Sequence, residues 1–408
     1  MLQNKIMVIG IDASRANRKF KSGTEWYSYN LIMELAKLDS ANQFVLYSDQ
    51  PLVGGLKELV RRQQNFRSKI LNWPLSNFWT QIRLSYEMLA HQPDALFVPA
   101  HVLPLVHPKK SLVTIHDVGF ERQAELYSTD QIGPAAGLKA KIINFLVKIF
   151  TLGKFRSNIL DYHSWSTKYA LKQARAIIAV SNFTKQELIK IYGASEEKIK
   201  VIHNSYNAKL YRPIADKNLL NQALTKYGLV FPYIFYAGRL EKKKNTARLI
   251  EAFARMKQKF PELKHKLVLT GFAGLGYDEI KYVIEEFDLE NEVIITGWIP
   301  EADLPFIYQG AALFIFPSLY EGFGIPLLEA MACGVPVAAA NTSSIPEVAK
   351  AAAVYFDPKS KNAMAEKMAE ILNDRKLADE LIQRGYERVK DFSLEKCARE
   401  TLKVIENL

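Results

Sequence analysis

The chain has 408 residues, 49% of them hydrophobic and 24% charged, a balance that supplies a large core and excludes an intrinsically disordered protein. Its net charge of +11 leaves nucleic acid, an anionic membrane surface or a phosphorylated ligand as partners. Only Cys333 and Cys397 occur, with no Cys-x-x-Cys and no His/Cys cluster. That excludes a disulfide framework and a zinc centre and fits a reducing cytosol.

In chain order, short apolar runs alternate with amphipathic helix-like segments. Ile6-Ile11, Phe44-Tyr47, Ala95-Val98, Leu112-Ile115, Ala176-Val180 and Val201-Ile202 are the predicted strands of the first half. Strands separated by helices predict a parallel sheet covered on both faces, because parallel neighbours need crossover connections. The polar, proline-containing stretch NSYNAKLYRPIADKN reads as a linker. A second series follows at Tyr233-Tyr236, Leu267-Thr270, Val293-Thr296, Leu313-Phe316, Val335-Ala339 and Ala353-Phe356. The expected architecture is α/β: doubly wound domains at 1-207 and 208-390, with a cleft between them, and a C-terminal helix at 391-408 packing on either one. Ligands of such sheets sit beyond the carboxyl ends of the strands.

The early apolar run is too short for a signal peptide, and no stretch reaches the ~18 apolar residues of a membrane span, so a cytoplasmic protein is expected. Much of the charge is local, since residues 131 to 210 hold 13 Lys/Arg against 4 Asp/Glu. Within them LKAKIINFLVKIFTLGKFR, residues 138-156, is apolar and basic at once. Such a segment lies in an anionic membrane interface or forms a buried helix with solvated lysines.

Three strand ends carry chemistry. After Leu313-Phe316 comes EGFGIPLLE, Glu321 to Glu329, in which Pro326 suits a first helical position and Gly334 and Pro336 end the helix. Gly322 and Gly324 then occupy a strand-to-helix turn, and the amides of Gly324, Ile325 and Leu327 are expected to face an anion. Glu321 before the turn and Glu329 in the first helical turn are acceptors suited to hydroxyls; the same spacing also suits an ordinary helix start. After Tyr233-Tyr236, Arg239 and Lys244 offer a guanidinium fork and a point charge for phosphate, or a solvated basic loop. His116, closing a strand in Thr114-Ile-His-Asp117, is a donor to a substrate hydroxyl or a structural imidazole.

Together these stretches resemble the retaining glycosyltransferases of family 4, over nearly the whole chain. Glu321 and Glu329 resemble that family's paired glutamates, and EAMACGVPV, AGRL with Lys244, VSNFT, FPSLYEGFG and SSIPEV are similar to family blocks in the same order. IGIDASR, DALFVPAHVLPL and VTIHDV look closest to a mannosyltransferase-like branch. The resemblance implies a GT-B fold of two facing Rossmann-like domains and transfer of a sugar from a nucleotide-diphosphate sugar, such as GDP-mannose, to a saccharide or lipid-linked acceptor with retention. It places Glu321 beside the donor sugar, Glu329 on the ribose, Phe323, Gly324 and Ile325 along the sugar, and Leu327 near the diphosphate. Arg239 and Lys244 would neutralise the diphosphate, Gly23 lies in the loop over it, and His116 serves the sugar and acceptor. Loops with Gly271, Phe272 and Trp298 would select the base.

No Asp-x-Asp motif occurs, so no metal and no other cofactor is expected. Two departures stand out: Asn204-Ser205-Tyr206 replaces the usual Asn-Gly-Val turn, and Gly23 is a single glycine where the loop usually has more. A phosphorylase or epimerase relative is the alternative enzyme. A nucleic-acid-binding protein has only the basic segment in its favour, and no recognition motif accompanies it.

Overall fold

The computed structural model describes residues 6–38, 41–73, 78–127 and 157–408, together with Asp130, Lys141, Asn144, Phe145, Val147, Lys148 and Phe155. Most of the segment 138-156 lies outside the described residues. The chain forms two compact units, Met1–Asn204 with Leu394–Leu408, and Ser205–Ser393.

In the first unit β1 (Val8–Asp12), β2 (Gln43–Ser48), β3 (Phe66–Ile70), β4 (Ala95–Val98), β5 (Ser111–Ile115), β6 (Ala176–Ala179) and β7 (Ile199–Val201) form one sheet in the order β3-β2-β1-β4-β5-β6-β7. Every pairing is parallel, with Ile9 opposite both Phe44 and Ala95. The central strands are buried at every position because helices cover both faces. Alternate residues therefore enter separate cores: Ile9, Ile11, Phe44 and Phe97 in one, Val45, Tyr47, Leu96 and Val98 in the other.

The first of these cores is completed from the far end of the sequence. Helix Leu394–Glu406 buries Cys397, Ala398, Thr401, Leu402 and Ile405, a stripe at helical spacing, and lies against helix Gly23–Leu35. Asn42 ties that helix down, because its amide donates to Glu406 Oε1 (2.8 Å) while its Oδ1 accepts from the Met7 amide (3.0 Å).

The second unit repeats the plan with β8 (Tyr233–Ala237), β9 (Lys266–Thr270), β10 (Val293–Gly297), β11 (Leu313–Phe316), β12 (Val337–Ala340) and β13 (Val354–Phe356), in the order β10-β9-β8-β11-β12-β13, again all parallel. Strand order reverses at β1/β4 in one sheet and at β8/β11 in the other. Crossovers leave a crevice at such a point, outside the carboxyl ends of the strands.

Two elements differ from the sequence reading. Strand β3, Phe-Arg-Ser-Lys-Ile, is an edge strand, and its charges hide it from a search for apolar runs. Residues Trp79–Leu84 form a π-helix entered through Phe78 at φ 63°, a geometry with no compositional signature.

Because the C-terminal helix is part of the first core, Ile405→Ala should cost about 2–5 kcal/mol. In denaturant melts followed by fluorescence and hydrogen exchange, the first unit's amides should lose protection while those of residues 205–393 keep theirs.

Candidate functional site

In the second unit the loops after β8 and β11, which flank the point of strand-order reversal, meet in one ion pair. Lys244 Nζ lies 2.5 Å from Glu321 Oε1, with only 20% and 10% of the two side chains exposed. Lys244 ends a short 3-10 turn, Lys242–Lys244, and Asn245 follows at φ 61°. Asn245 donates from Nδ2 to the carbonyls of Pro317 (3.1 Å) and Pro358 (2.8 Å), and the Lys243 carbonyl accepts from the Leu319 amide (2.9 Å). The basic loop is thus built into the sheet edge rather than solvated. Arg239 differs: its side chain is 59% exposed, 3.5 Å from Glu241, and is available to a ligand.

The loop carrying Glu321 is pinned from the other side by two serines. The Glu321 amide donates to Ser343 Oγ (3.0 Å), and the buried Ser344 hydroxyl donates to the carbonyls of Glu321 (2.9 Å) and Phe323 (3.1 Å). Ser343 is itself held at φ 53°. Left-handed conformations in non-glycine residues on both supporting loops mark strain retained by the surrounding fold.

Helix Ile325–Ala332 starts one residue before Pro326, with Gly324 as its N-cap at φ 104°, a region that favours glycine. The amides of Gly324 and Ile325 have no backbone acceptor among the described residues, so the helix start offers two donors. Two expectations are corrected. The Leu327 amide donates to the Gly324 carbonyl (3.1 Å) and its side chain is fully buried, so it contributes to the first turn and the core instead of facing an anion. Glu329 lies in the second turn rather than the first, because the helix begins at Ile325. Phe323 is buried against the ring of Phe392 and shapes the turn through its backbone.

Glu329 points among tyrosines. Tyr308 donates to its Oε2 (2.9 Å), Tyr211 adds a second hydroxyl, and the two rings meet edge to face at 5.9 Å. Burial pushes the carboxyl up to about 7 despite both hydrogen bonds. Sequence reasoning missed both tyrosines. Tyr211 sits in the stretch read as a linker, and Tyr308 in an ordinary amphipathic segment, so neither carries a local signal.

Beyond β9 and β10, Phe272 and Trp298 are about half exposed and stack at 6.2 Å with ring planes 15° apart. Gly271, at φ 142°, brings its backbone so close to β8's loop that a Cβ would lie 1.9 Å from the Gly238 carbonyl oxygen. Leu240 then donates to the Phe272 carbonyl (2.8 Å), so the loops bearing Arg239 and Phe272 are zipped together.

In the first unit Gly23 opens helix Gly23–Leu35, and a Cβ added there would meet open space. His116 Nε2 lies 3.0 Å from the Pro99 carbonyl, which only accepts, so Nε2 carries the proton. Burial lowers the pKa of the imidazole and keeps it neutral. Nδ1 is therefore an acceptor, which corrects the expectation of a donor to a substrate hydroxyl. Among the described residues no group of three or more His, Cys, Asp and Glu is arranged to hold a metal ion, and no helix is long and apolar enough to cross a membrane.

Residues 229–388 match the family described as glycosyl transferases group 1, and residues 21–210 match glycosyltransferase family 4. The O-antigen chain mannosyltransferase B of Escherichia coli is 31% identical over 258 residues, which are 63% of this chain and 67% of that protein. The chain spans 26% of the length of a longer mannosyltransferase that it also matches. Among solved structures, sucrose-phosphate synthase from Thermosynechococcus elongatus is similar with a TM-score of 0.73 at 19% identity, over 98% of each chain. Anabaena HepE in complex with UDP and glucose is similar with a TM-score of 0.69 at 18% identity, over 99% of this chain and 100% of that one. With two parallel-sheet α/β units and both halves of the family matched, the chain belongs to glycosyltransferase family 4, and its fold is GT-B.

Proposed function

We propose that the protein moves a hexose, mannose in the first instance, from a nucleotide-diphosphate sugar such as GDP-mannose to a hydroxyl of a saccharide acceptor in the assembly of cell-envelope polysaccharide. The observation that carries this reading is the Lys244–Glu321 pair beside the start of helix Ile325–Ala332. A sugar diphosphate brings hydroxyls and anionic oxygens together, and this place has a carboxylate for the first and an ammonium with helix amides for the second.

The roles follow from position. Glu321 accepts from the donor sugar's hydroxyls, and its contact with Lys244 fixes both groups before the ligand arrives. Arg239, Lys244 and the amides of Gly324 and Ile325 receive the charge that grows on the β-phosphate as the glycosidic bond breaks. The stacked pair Phe272 and Trp298 offers a platform for the base. Glu329, among its tyrosines, binds the ribose hydroxyls. His116 accepts a hydrogen bond through Nδ1.

In the reaction the bond from the anomeric carbon to the β-phosphate oxygen breaks. A bond from that carbon to the acceptor oxygen forms on the same face, and the acceptor's proton passes to the departing phosphate. The cations named above neutralise the leaving group, which supports a transfer without a resident metal. The names of the mannosyltransferase relative and of the HepE complex with UDP and glucose support a nucleotide sugar as donor.

Glu321→Gln keeps the shape of the loop and removes the charge. Its kcat for transfer from GDP-mannose should fall by about 10²–10³-fold while the melting profile stays as in the parent; undiminished turnover would overturn the reading. Chelation before assay should leave the rate unchanged, and linkage analysis of the product should show retained configuration. If inorganic phosphate without acceptor yields a sugar phosphate, the phosphorylase alternative replaces this one.

The raised pKa of Glu329 gives a second check. Its free carboxyl is half protonated at about pH 7, whereas ribose hydroxyls need the ionised acceptor. Binding must therefore expel a proton, and affinity must fall as pH drops below that value, by at most about tenfold per unit. Titration with guanosine, which has no phosphate to titrate, should show this slope in the parent protein and a flat profile in Glu329→Gln. A flat profile in the parent would remove Glu329 from the ribose site.

A further inference from the structure

Arg388, near the end of helix Arg375–Val389, carries a guanidinium that takes no part in the donor chemistry, and only 10% of its side chain is exposed. Each of its nitrogens is engaged within the protein. Nε donates to the Val348 carbonyl (2.7 Å), Nη2 donates to the Glu347 carbonyl (2.9 Å), and Nη1 pairs with Asp391. Its Cζ lies 4.5 Å from the centroid of the Phe392 ring. Arg239 is 59% exposed and open to a ligand, whereas Arg388 turns its fork toward backbone.

Both sets of contacts lead to residues 321–324. The two carbonyls belong to helix Ile345–Ala349, and the last carbonyls of a helix have no partner within it. Five residues make less than two turns and do not hold their own place, so this helix sits where its ends are fixed. Arg388 fixes one end. At the other, Ser344 donates to the carbonyls of Glu321 (2.9 Å) and Phe323 (3.1 Å), and the Val348 amide donates back to the Ser344 carbonyl (3.0 Å). By the second route Phe392, 6% exposed, meets the Phe323 ring edge to face at 5.6 Å. Phe323 stands between Gly322 and Gly324, whose backbones have little stiffness of their own. The support is itself firm: a Cβ added at Gly385 would lie 3.2 Å from the Met331 Cβ, so helix Arg375–Val389 packs tightly on helix Ile325–Ala332.

We propose that Arg388 is a positioning residue of the donor site: through Ser344 and Phe392 it fixes residues 321–324, and so aims the Glu321 carboxylate and the Gly324 and Ile325 amides, while touching no ligand itself. Taking a cation out of water is costly, and two carbonyls, a carboxylate and an aromatic ring offset that cost here. The planar fork matters as much as the charge, because it bonds two successive carbonyls at once. The proposal rests on the glycosyltransferase reading. In that reading a loosened turn weakens the transition state more than the bound donor, because Arg239, Lys244 and the stacked Phe272 and Trp298 stand on other loops.

The test combines steady-state kinetics with amide hydrogen exchange on the full-length protein. Arg388→Met keeps the stem and removes the fork; Phe392→Leu keeps an apolar side chain and removes the ring. In each variant kcat with GDP-mannose should fall about 10–100-fold while KM for the donor stays within about threefold. In the ligand-free variants the Glu321 and Leu327 amides should exchange about tenfold faster, with the amides of β9 in the same unit protected as in the parent. Parental exchange and parental kcat in both variants overturn the proposal, as does a raised KM with kcat held, which would make Arg388 a direct ligand of the donor. If Arg388→Met also loses β9 protection, Phe392→Leu decides: loss of β9 protection there too makes the role structural only. Faster exchange at the turn, in a protein whose parental form does not turn over sugar nucleotide, retains Arg388 as the holder of the turn and overturns the transferase reading.

Discussion

Parallel pairing dictates where chemistry is placed in this protein. Two parallel neighbours cannot be joined by a tight turn, so the strands are linked by crossover connections, most of them helical, and all strands of a sheet finish on the same edge. Where successive crossovers change sides, at β8/β11, the loops after two adjacent strands diverge and leave room for a ligand. Lys244 and Glu321 occupy those two loops. Their ion pair exists because β8 and β11 are neighbours in space while 77 residues separate the pair along the chain.

A partly buried pair of this kind adds little to stability by itself, since desolvation offsets most of the attraction. Its contribution is preorganisation. Asn245, Ser343 and Ser344 fix the backbones on either side, two of them with left-handed conformations of their own or beside one, and so hold charge and carboxylate at a defined separation before any ligand arrives. On the proposed function, a sugar diphosphate meets both groups without loop ordering, and its binding energy goes to the reacting bond.

The fold was legible because buried parallel strands leave uninterrupted apolar runs such as Leu313-Phe316, and because EGFGIPLLE combines glycines, a proline and carboxylates in an order with one structural meaning, a strand-to-helix turn. What escaped has a physical reason in each case. Edge strand β3 pairs on one side only and tolerates Arg67 and Lys69. Tyr211 and Tyr308 are brought to Glu329 by tertiary packing, Tyr308 from 21 residues away and Tyr211 from another loop, and an isolated tyrosine has no spacing to read. The fate of the Leu327 amide turned on one residue, because a helix that starts at Ile325 rather than Pro326 consumes a donor that the later start would leave open.

The two sheets share one strand order, and each gathers polar groups at its reversal point. At β8/β11 the loops supply Arg239, Lys244 and helix amides, matched to anionic oxygens, beside the Glu321 carboxylate, matched to hydroxyls. At β1/β4 they supply the Asp12 carboxylate, the unpartnered Gln81 Oε1 and the Nδ1 acceptor of His116. On the proposed function, the loops that meet the departing diphosphate must bind negative charge as it develops, and the cations at β8/β11 suit that task. The ion pair with Glu321 holds the Lys244 ammonium in place for that role before any ligand arrives.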